Sequence, residues 1–257
     1  MKIAVQCRMG LGKKICEDHA LVFDCACSQM RLFNSARLEL ETDEPMIVAV
    51  ADGVGGNPGA HQASRFSLSV LCDLAGQMLA AGTPRDLEPL LVDLNSRLLA
   101  YAAELPGLET MATTFSALCA ADGRCRLLHT GNTRISLMFN RYIKQATTDF
   151  TTYQHLLDMG LTEAAERCNR SEIISCLGGG TPRSLSRIEA RDVYQEGKRP
   201  HLMLLTSDGI HEYVDLDWLE DLMNDEAISD LEKTDRMISQ ALDNGSMDDK
   251  TAVIVRI

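Results

Sequence analysis

Four segments of this chain share one construction, an apolar run that meets an acid. Ile47-Val48-Ala49-Val50-Ala51 runs into Asp52-Gly53, and Leu202-Met203-Leu204-Leu205-Thr206-Ser207 runs into Asp208-Gly209. Glu17-Asp18 precedes one apolar run and Asp248-Asp249 precedes the last. An acid at the lip of a buried strand is held by a fixed backbone, so several of them can converge in space. Crowded carboxylates repel, and they demand protons or cations. Hard divalent ions such as Mg²⁺ and Mn²⁺ take oxygen ligands and keep several waters. With no side chain, Gly53 lets its carbonyl approach such an ion closely. Any single Asp-Gly pair after a strand reads as a turn; four coordinated cases support a two-metal hydrolase without naming its substrate. The glycines of Gly53-Val54-Gly55-Gly56 also suggest a phosphate cradle, but no Gly-Lys-Ser/Thr ending follows, so this is not a P-loop.

The elements that must carry these acids follow from periodicity. Strands are expected at Lys2 to Arg8, Ala20 to Cys27 and Met46 to Ala51, then a helix from about Ala63 to Ala81 that closes at Gly82. A second helix opens with Thr83 as N-cap and Pro84 at its first position, and Leu87, Leu90, Leu91, Leu94, Leu98 and Tyr101 mark its buried face. Strands return at Ala112 to Cys119, Arg124 to Thr130 and Arg134 to Asn140, with turns at Asp122-Gly123 and Gly131-Asn132. Thr148 to Arg170 reads as short polar helices and loop. Ile173 to Leu177, Arg187 to Tyr194 and His201 to Thr206 read as strands, Asp217 to Leu242 as helical, and Thr251 to Ile257 as the last strand. Runs of strands separated by runs of helices predict an α+β fold, a β-sandwich of two antiparallel sheets flanked by helices on both sides. No repeat or linker divides the sequence, so residues 1–257 are expected to form a single domain.

Composition narrows the function. The 257 residues carry 37 acids against 25 Lys and Arg, a formal charge of −12. That balance argues against nucleic-acid or anionic-membrane surfaces. No apolar stretch reaches the roughly 20 residues of a membrane span, and no signal-peptide pattern opens the chain. The nine cysteines contain no CxxC pair, and Cys25 and Cys27 alternate as strand neighbours do. Scattered thiols suit a reducing compartment, so the expected location is cytoplasmic. None of the six histidines stands in metal-ligand spacing with another, which favours structural or surface roles. Without heptads or a long apolar edge, a monomer is expected.

In order along the chain, these segments resemble the metal-dependent protein phosphatases (the PPM family, also called protein phosphatase 2C). Lys13-Lys14-Ile15-Cys16-Glu17-Asp18 is similar to the family's Arg-x-x-Asn-Glu-Asp. Val50 to Gly56, continuing to Ala63-Ser64, is similar to its Asp-Gly-x-Gly-Gly…Ala-Ser. Ala112-Thr113-Thr114, His129 to Arg134, Thr206 to Ile210 and Ser246 to Thr251 match its remaining motifs. The resemblance implies two Mg²⁺ or Mn²⁺ ions. Asp52 would bridge both; Asp208 and Asp248 would complete one, and Glu17 with the Gly53 carbonyl the other. Asp18 would orient a metal-bound water, and a metal-bridging hydroxide would attack phosphorus in line, releasing serine or threonine. Lys13 stands at the phosphate-binding Arg position and offers a point charge instead of a fork; Lys14 is the alternative.

Other departures carry expectations. Val54 replaces a histidine that some members carry to protonate the leaving group. Asn132 replaces an acid of a third, weaker metal site, which is therefore expected to be weak or empty, with Glu212 at another of its positions. Asp249 stands where Asn is usual and either strengthens metal binding or faces solvent. Asp149-Phe150-Thr151 departs from the pattern of the family's flap, a candidate for substrate selection. The implied function is a protein serine/threonine phosphatase acting on a phosphorylated protein and opposing a serine/threonine kinase. Basic residues around the phosphosite suit so acidic a chain. Two alternatives remain open: a catalytically weak PPM-fold regulator that binds a phosphoprotein, and a small phosphate-ester hydrolase.

Overall fold

Strands whose sequences are unbroken apolar runs become buried on both faces, because each sheet here is sandwiched between its partner and a helical layer. The computed structural model describes residues 1–25, 28–193 and 199–257. In chain order the elements are β1 (Lys2–Arg8), β2 (Asp18–Asp24), β3 (Gln29–Phe33), β4 (Arg37–Glu41), β5 (Met46–Asp52), α1 (Ala60–Ala80) and α2 (Glu88–Ala103). There follow β6 (Ala112–Thr113), β7 (Phe115–Ala121), β8 (Arg124–Thr130), β9 (Arg134–Phe139), β10 (Tyr142–Gln145), α3 (Thr152–Asp158) and α4 (Thr162–Ala165). The remainder is β11 (Leu177–Gly178), β12 (Glu189–Asp192), β13 (Leu202–Thr206), α5 (Asp208–His211), α6 (Leu216–Asn224), α7 (Asp230–Asp243) and β14 (Lys250–Arg256).

One six-stranded sheet has the order β10-β9-β13-β14-β1-β4 and the other β12-β8-β7-β5-β2-β3, with β11-β6 a small separate pair. Every pairing is antiparallel. The two-residue period of a strand decides which side chains go where. Val48 and Val50 of β5 meet Met203 and Leu205 of β13 and Val253 and Val255 of β14 between the sheets. Ile47, Ala49 and Ala51 of the same strand face outward, against Leu68, Leu71 and Leu74 of α1 and Leu91, Leu94 and Leu98 of α2. On the other outer face Leu204 and Ile254 pack on Leu219 of α6 and Met237 and Ile238 of α7. The order helix, sheet, sheet, helix agrees with the expected architecture. Among the described residues no helix is long and apolar enough to cross a membrane.

Several expected elements are reshaped, each for a local reason. The second helix is divided: Pro84–Leu87 forms a 3-10 turn, and the α-helix starts afresh at Glu88 because Pro89 has no N–H to continue the ladder. Asp217 to Leu242 becomes two helices, since the Ser229 hydroxyl accepts the Glu232 N–H and starts α7 anew. Ile173 to Leu177 keeps strand pairing only at its ends, an isolated bridge at Ile173 and β11 from Leu177, because the amides between turn to different partners: Ile174 to Phe150 O and Cys176 to Ser184 O. Ala112 to Cys119 divides at Thr114, whose amide donates to Asp52 O at 2.8 Å. Asp122 and Gly123, both at positive φ, close the β7–β8 hairpin as expected. Gly131-Asn132 instead carries the chain from one sheet to the other. The ends of two expected strands, Ala26-Cys27 and Tyr194, lie outside the described residues. β3, β4, β10 and α5 were not anticipated. Cys7, Cys16, Cys119 and Cys125 are buried free thiols, and burial pushes Cys7 up to about 12.

Candidate metal centre

Each predicted acid sits where a central strand meets the same end of the sandwich. Asp18 begins β2 and Asp52 ends β5, directly opposite one another in the ladder. Asp208 follows β13, and Asp248 and Asp249 precede β14 in the facing sheet. The two sheets are tied at this point by Thr251 Oγ1, which donates to Asp18 Oδ2 at 2.8 Å. Asp52 is held by its main chain: its N–H donates to Thr114 Oγ1 at 3.0 Å, and its carbonyl accepts from Thr113 Oγ1 at 2.8 Å. The Thr-Thr pair therefore fixes the residue expected to bridge the metals.

Gly53 is demanded by space. A Cβ there would lie 2.5 Å from Ala60 O and 2.6 Å from its carbonyl carbon. A Cβ at Gly209 would run into the Asp249 carbonyl. Ser64 donates to the Glu17 carbonyl at 2.5 Å and faces His19 Nδ1 at 2.9 Å, so the Ala-Ser motif braces the Glu17-Asp18 segment from α1.

Packing these acids together has an electrostatic cost. Desolvation, and then the charges on Asp18, Asp208 and Asp248, push the Asp52 carboxyl well up from the usual range. Burial and Asp249 do the same to Asp18, and burial and Asp248 to Asp208. Asp52 lies within hydrogen-bonding reach of both Asp18 and Asp208. Among the described residues the buried side-chain oxygens left without a well-formed hydrogen bond include Asp18 Oδ1, Asp208 Oδ1 and Asn132 Oδ1. Hard oxygen atoms, crowded, anionic and without donors, are the donor set that Mg²⁺ or Mn²⁺ takes. No three carboxylates, imidazoles or thiols among the described residues are already spaced as a finished cage. The chemistry of the donors nonetheless fits the ions.

The lysine is Lys13. Its Nζ donates to Glu17 Oε2 and Asp249 Oδ2, each at 3.0 Å, and pairs with Asp248 Oδ1 at 2.5 Å. Burial opposes its charge, but hydrogen bonds to Asp248, Asp249 and Glu17 outweigh that and hold the ammonium protonated. Lys13 thus faces the acids; Lys14 is exposed.

Asp249 does not face solvent. Its side chain is 1% exposed, and its carboxylate accepts the Gly10 and Glu17 amides, each at 2.7 Å. It fastens the Gly10–Glu17 loop to the facing sheet, a role that its position beside Asp248 did not announce. Asn132 donates Nδ2 to Asp208 Oδ2 at 3.0 Å, and exposed Glu212 accepts from Ser171 at 3.3 Å. The segment from Thr148 onward is anchored by Arg134, whose guanidinium grips Asp149 through contacts of 3.1, 3.1 and 2.6 Å. Beneath it His129 is fully buried, joined to Ser116 Oγ at 2.8 Å and Thr148 O at 2.9 Å. A recess of about 640 Å³ lies at the other end of β14, away from the acids. Three of its charged groups are satisfied within the fold: Arg256 grips Asp230, and Lys233 donates to Met223 O at 2.8 Å.

Comparison with known proteins follows the same lines. A family model described as Protein phosphatase 2C matches residues 36–250, which leaves the Lys13–Asp18 motif outside the matched span. The serine/threonine protein phosphatase PstP of Mycobacterium tuberculosis is 28% identical over 214 residues, 82% of this chain; the chain spans 40% of the length of that protein. The serine/threonine phosphatase stp of Listeria welshimeri is 25% identical over 229 residues, covering 86% of this chain and 88% of its own. The crystal structure of the Mycobacterium tuberculosis phosphatase PstP/Ppp superposes with a TM-score of 0.75 at 25% identity, covering 100% of this chain and 99% of that one.

Proposed function

We propose, from the premise that this chain belongs to the protein phosphatase 2C family, that residues 1–257 form one catalytic domain, a metal-dependent phosphatase of phosphoserine and phosphothreonine in proteins. The observation that carries the reading is the pair of buried, unpartnered oxygens, Asp18 Oδ1 and Asp208 Oδ1, converging on Asp52. The residues that would hold two Mg²⁺ or Mn²⁺ ions are Asp52 between them, Asp208 and Asp248 on one side, and Glu17 with the Gly53 carbonyl on the other. Such ions, when bound, lower the pKa of water and neutralise charge on a phosphoryl group.

The chain's own residues supply the rest. Thr113 and Thr114 keep Asp52 at a fixed backbone position, so its carboxylate needs little reorganisation. Asp18, already bound to Thr251 through Oδ2, retains Oδ1 to accept a hydrogen bond from a water and orient it. Lys13 is the cation facing the acids and, once released from them, would bind a substrate phosphate. Asp149, clamped by Arg134, holds the segment in which substrate side chains would be sorted. The substrate would be a phosphorylated protein made by a serine/threonine kinase, acting in the same compartment, and the third metal position at Asn132 would be weak.

Because Lys13 occupies Glu17 and Asp248, two of the acids assigned to the ions, one further reading is a catalytically weak or inactive PPM-fold regulator that binds a phosphoprotein partner. Mn²⁺-dependent hydrolysis of a phosphothreonine peptide and of an aryl phosphate, with Asp52→Asn as control, decides between them. Peptide turnover that Asp52→Asn abolishes supports the phosphatase. Silence with both substrates at saturating Mn²⁺ refutes it in favour of the binding module, and aryl phosphate turnover alone points to a small-ester hydrolase.

A further inference from the structure

A lysine ammonium has three N–H donors. In Lys13 two of them donate to carboxylates, Glu17 Oε2 and Asp249 Oδ2 at 3.0 Å, and the ammonium forms an ion pair with a third, Asp248 Oδ1, at 2.5 Å. The side chain reaches these acids from its own loop. Glu17 lies one residue before β2, and Asp248 lies two residues before β14 in the opposite sheet, so the ammonium spans the gap between the sheets. Two of the three carboxylates, Glu17 and Asp248, are the ones the proposed function assigns to two different metal ions. The third, Asp249, is already occupied by the Gly10 and Glu17 amides and stays in place whatever the lysine does.

We propose that Lys13 is a tethered competitor for the metal centre: its ammonium and divalent cations exchange on Glu17 and Asp248, and only the exchange frees its N–H donors for a substrate phosphate. The inference rests on the metal-centre reading given above and adds an order of events to it. Cation loading comes first, because an ammonium held by three carboxylates is turned away from an incoming anion. A lysine suits this exchange better than an arginine would. It is a compact point charge on a flexible stem, able to leave one set of oxygens and turn to another, whereas a guanidinium fork is fixed in geometry. The side chain of Lys13 is 28% exposed, which leaves it a route out toward solvent. Lys250 contrasts with it: that ammonium is buried and donates to the Asp248 carbonyl, a main-chain acceptor that remains whether or not a cation binds.

The test is isothermal titration of Mn²⁺ into chelator-treated full-length protein. It compares wild type, Lys13→Met, Lys13→Gln, Lys14→Met and Asp52→Asn. Lys14→Met removes the same charge from the neighbouring exposed position, and so separates contact from net charge. The expected result is Mn²⁺ affinity about tenfold tighter in Lys13→Met and in Lys13→Gln, a difference of about 1.4 kcal/mol, with Lys14→Met within about twofold of wild type. Lys13→Gln keeps a polar, uncharged side chain one bond shorter and serves if the methionine variant does not fold. Affinity in both Lys13 variants that is unchanged or weaker overturns the proposal, as does equal tightening in Lys14→Met. Asp52→Asn distinguishes the two levels. If it loses Mn²⁺ binding while the Lys13 variants show no tightening, the exchange alone is refuted. If it binds Mn²⁺ as wild type does, the ions are not held at this centre and both readings fall.

Discussion

Replacing Asp249 by asparagine is an isosteric change, so it leaves no cavity and isolates hydrogen bonding and charge. Oδ1 accepts the Gly10 amide and Oδ2 the Glu17 amide, each at 2.7 Å, and Oδ2 also accepts from Lys13. Asparagine has one acceptor oxygen, so in either orientation its NH₂ faces one of these N–H groups. The loss of one charge-assisted bond and the orphaning of a buried donor together cost roughly 2–5 kcal/mol. Relief of the repulsion between Asp249 and Asp18 offsets part of this, by on the order of 1 kcal/mol. The expected net destabilisation is about 1–4 kcal/mol, which for a domain of this size lowers Tm by roughly 3–12 °C. Thermal unfolding followed by circular dichroism in the presence of a chelator measures it. Hydrogen exchange at the Gly10 and Glu17 amides locates it, because one of the two must lose protection. A variant that melts within 2 °C of wild type (~0.5–1 kcal/mol), with both amides still protected, refutes the role assigned to Asp249.

Three other outcomes are expected. Gly53→Ala puts a methyl 2.5 Å from Ala60 O, so the turn at Gly53, proposed to hold one ion, must move; Mn²⁺ affinity falls about tenfold and stability by about 1–3 kcal/mol, read by titration and melting. His129 is buried and neutral, because burial depresses its pKa below 6.5. The unfolded chain therefore binds the extra proton first, and stability is lost as pH falls below 6.5, by up to about 1.4 kcal/mol per pH unit. His129→Gln removes that contribution, so denaturant midpoints measured from pH 7 to 5.5 fall less steeply than in wild type. Arg134→Lys exchanges a forked grip on Asp149 for a single contact. KM for a phosphopeptide then rises about three- to tenfold, roughly 0.7–1.4 kcal/mol, with kcat changed less than twofold in steady-state kinetics.

Local pattern was enough to write down most of the sandwich. A run such as Ile47 to Ala51 carries its own answer, since apolar side chains on both faces must be covered on both sides. Lys2–Arg8 and Arg124–Thr130 agree with expectation residue for residue. The exposed β3 and β4 were not legible, because their mixed polar and apolar residues, at the sheet's edge, lack the uniform burial that marked the central strands. The acids themselves were also legible: Glu17, Asp18, Asp52, Asp208 and Asp248 each stand beside an apolar run, and a strand end gives a carboxylate a defined position.

What the sequence could not contain is the relation between facing sheets. Asp18 and Thr251 are 233 positions apart, yet a 2.8 Å hydrogen bond joins them. Asp249 and Glu17 are 232 apart and bonded at 2.7 Å. Residue types announced an acidic cluster and a cation near it; they did not say that Lys13 turns inward onto Glu17, Asp248 and Asp249, or that Asp249 is a buried brace. Those facts depend on where two sheets meet, which the packing of Val48, Val50, Met203, Leu205, Val253 and Val255 between them decides. Strand-end chemistry is local and therefore readable in one dimension. The direction of a charged side chain is set by which other charges the fold brings within a few ångströms, and only the folded chain fixes that.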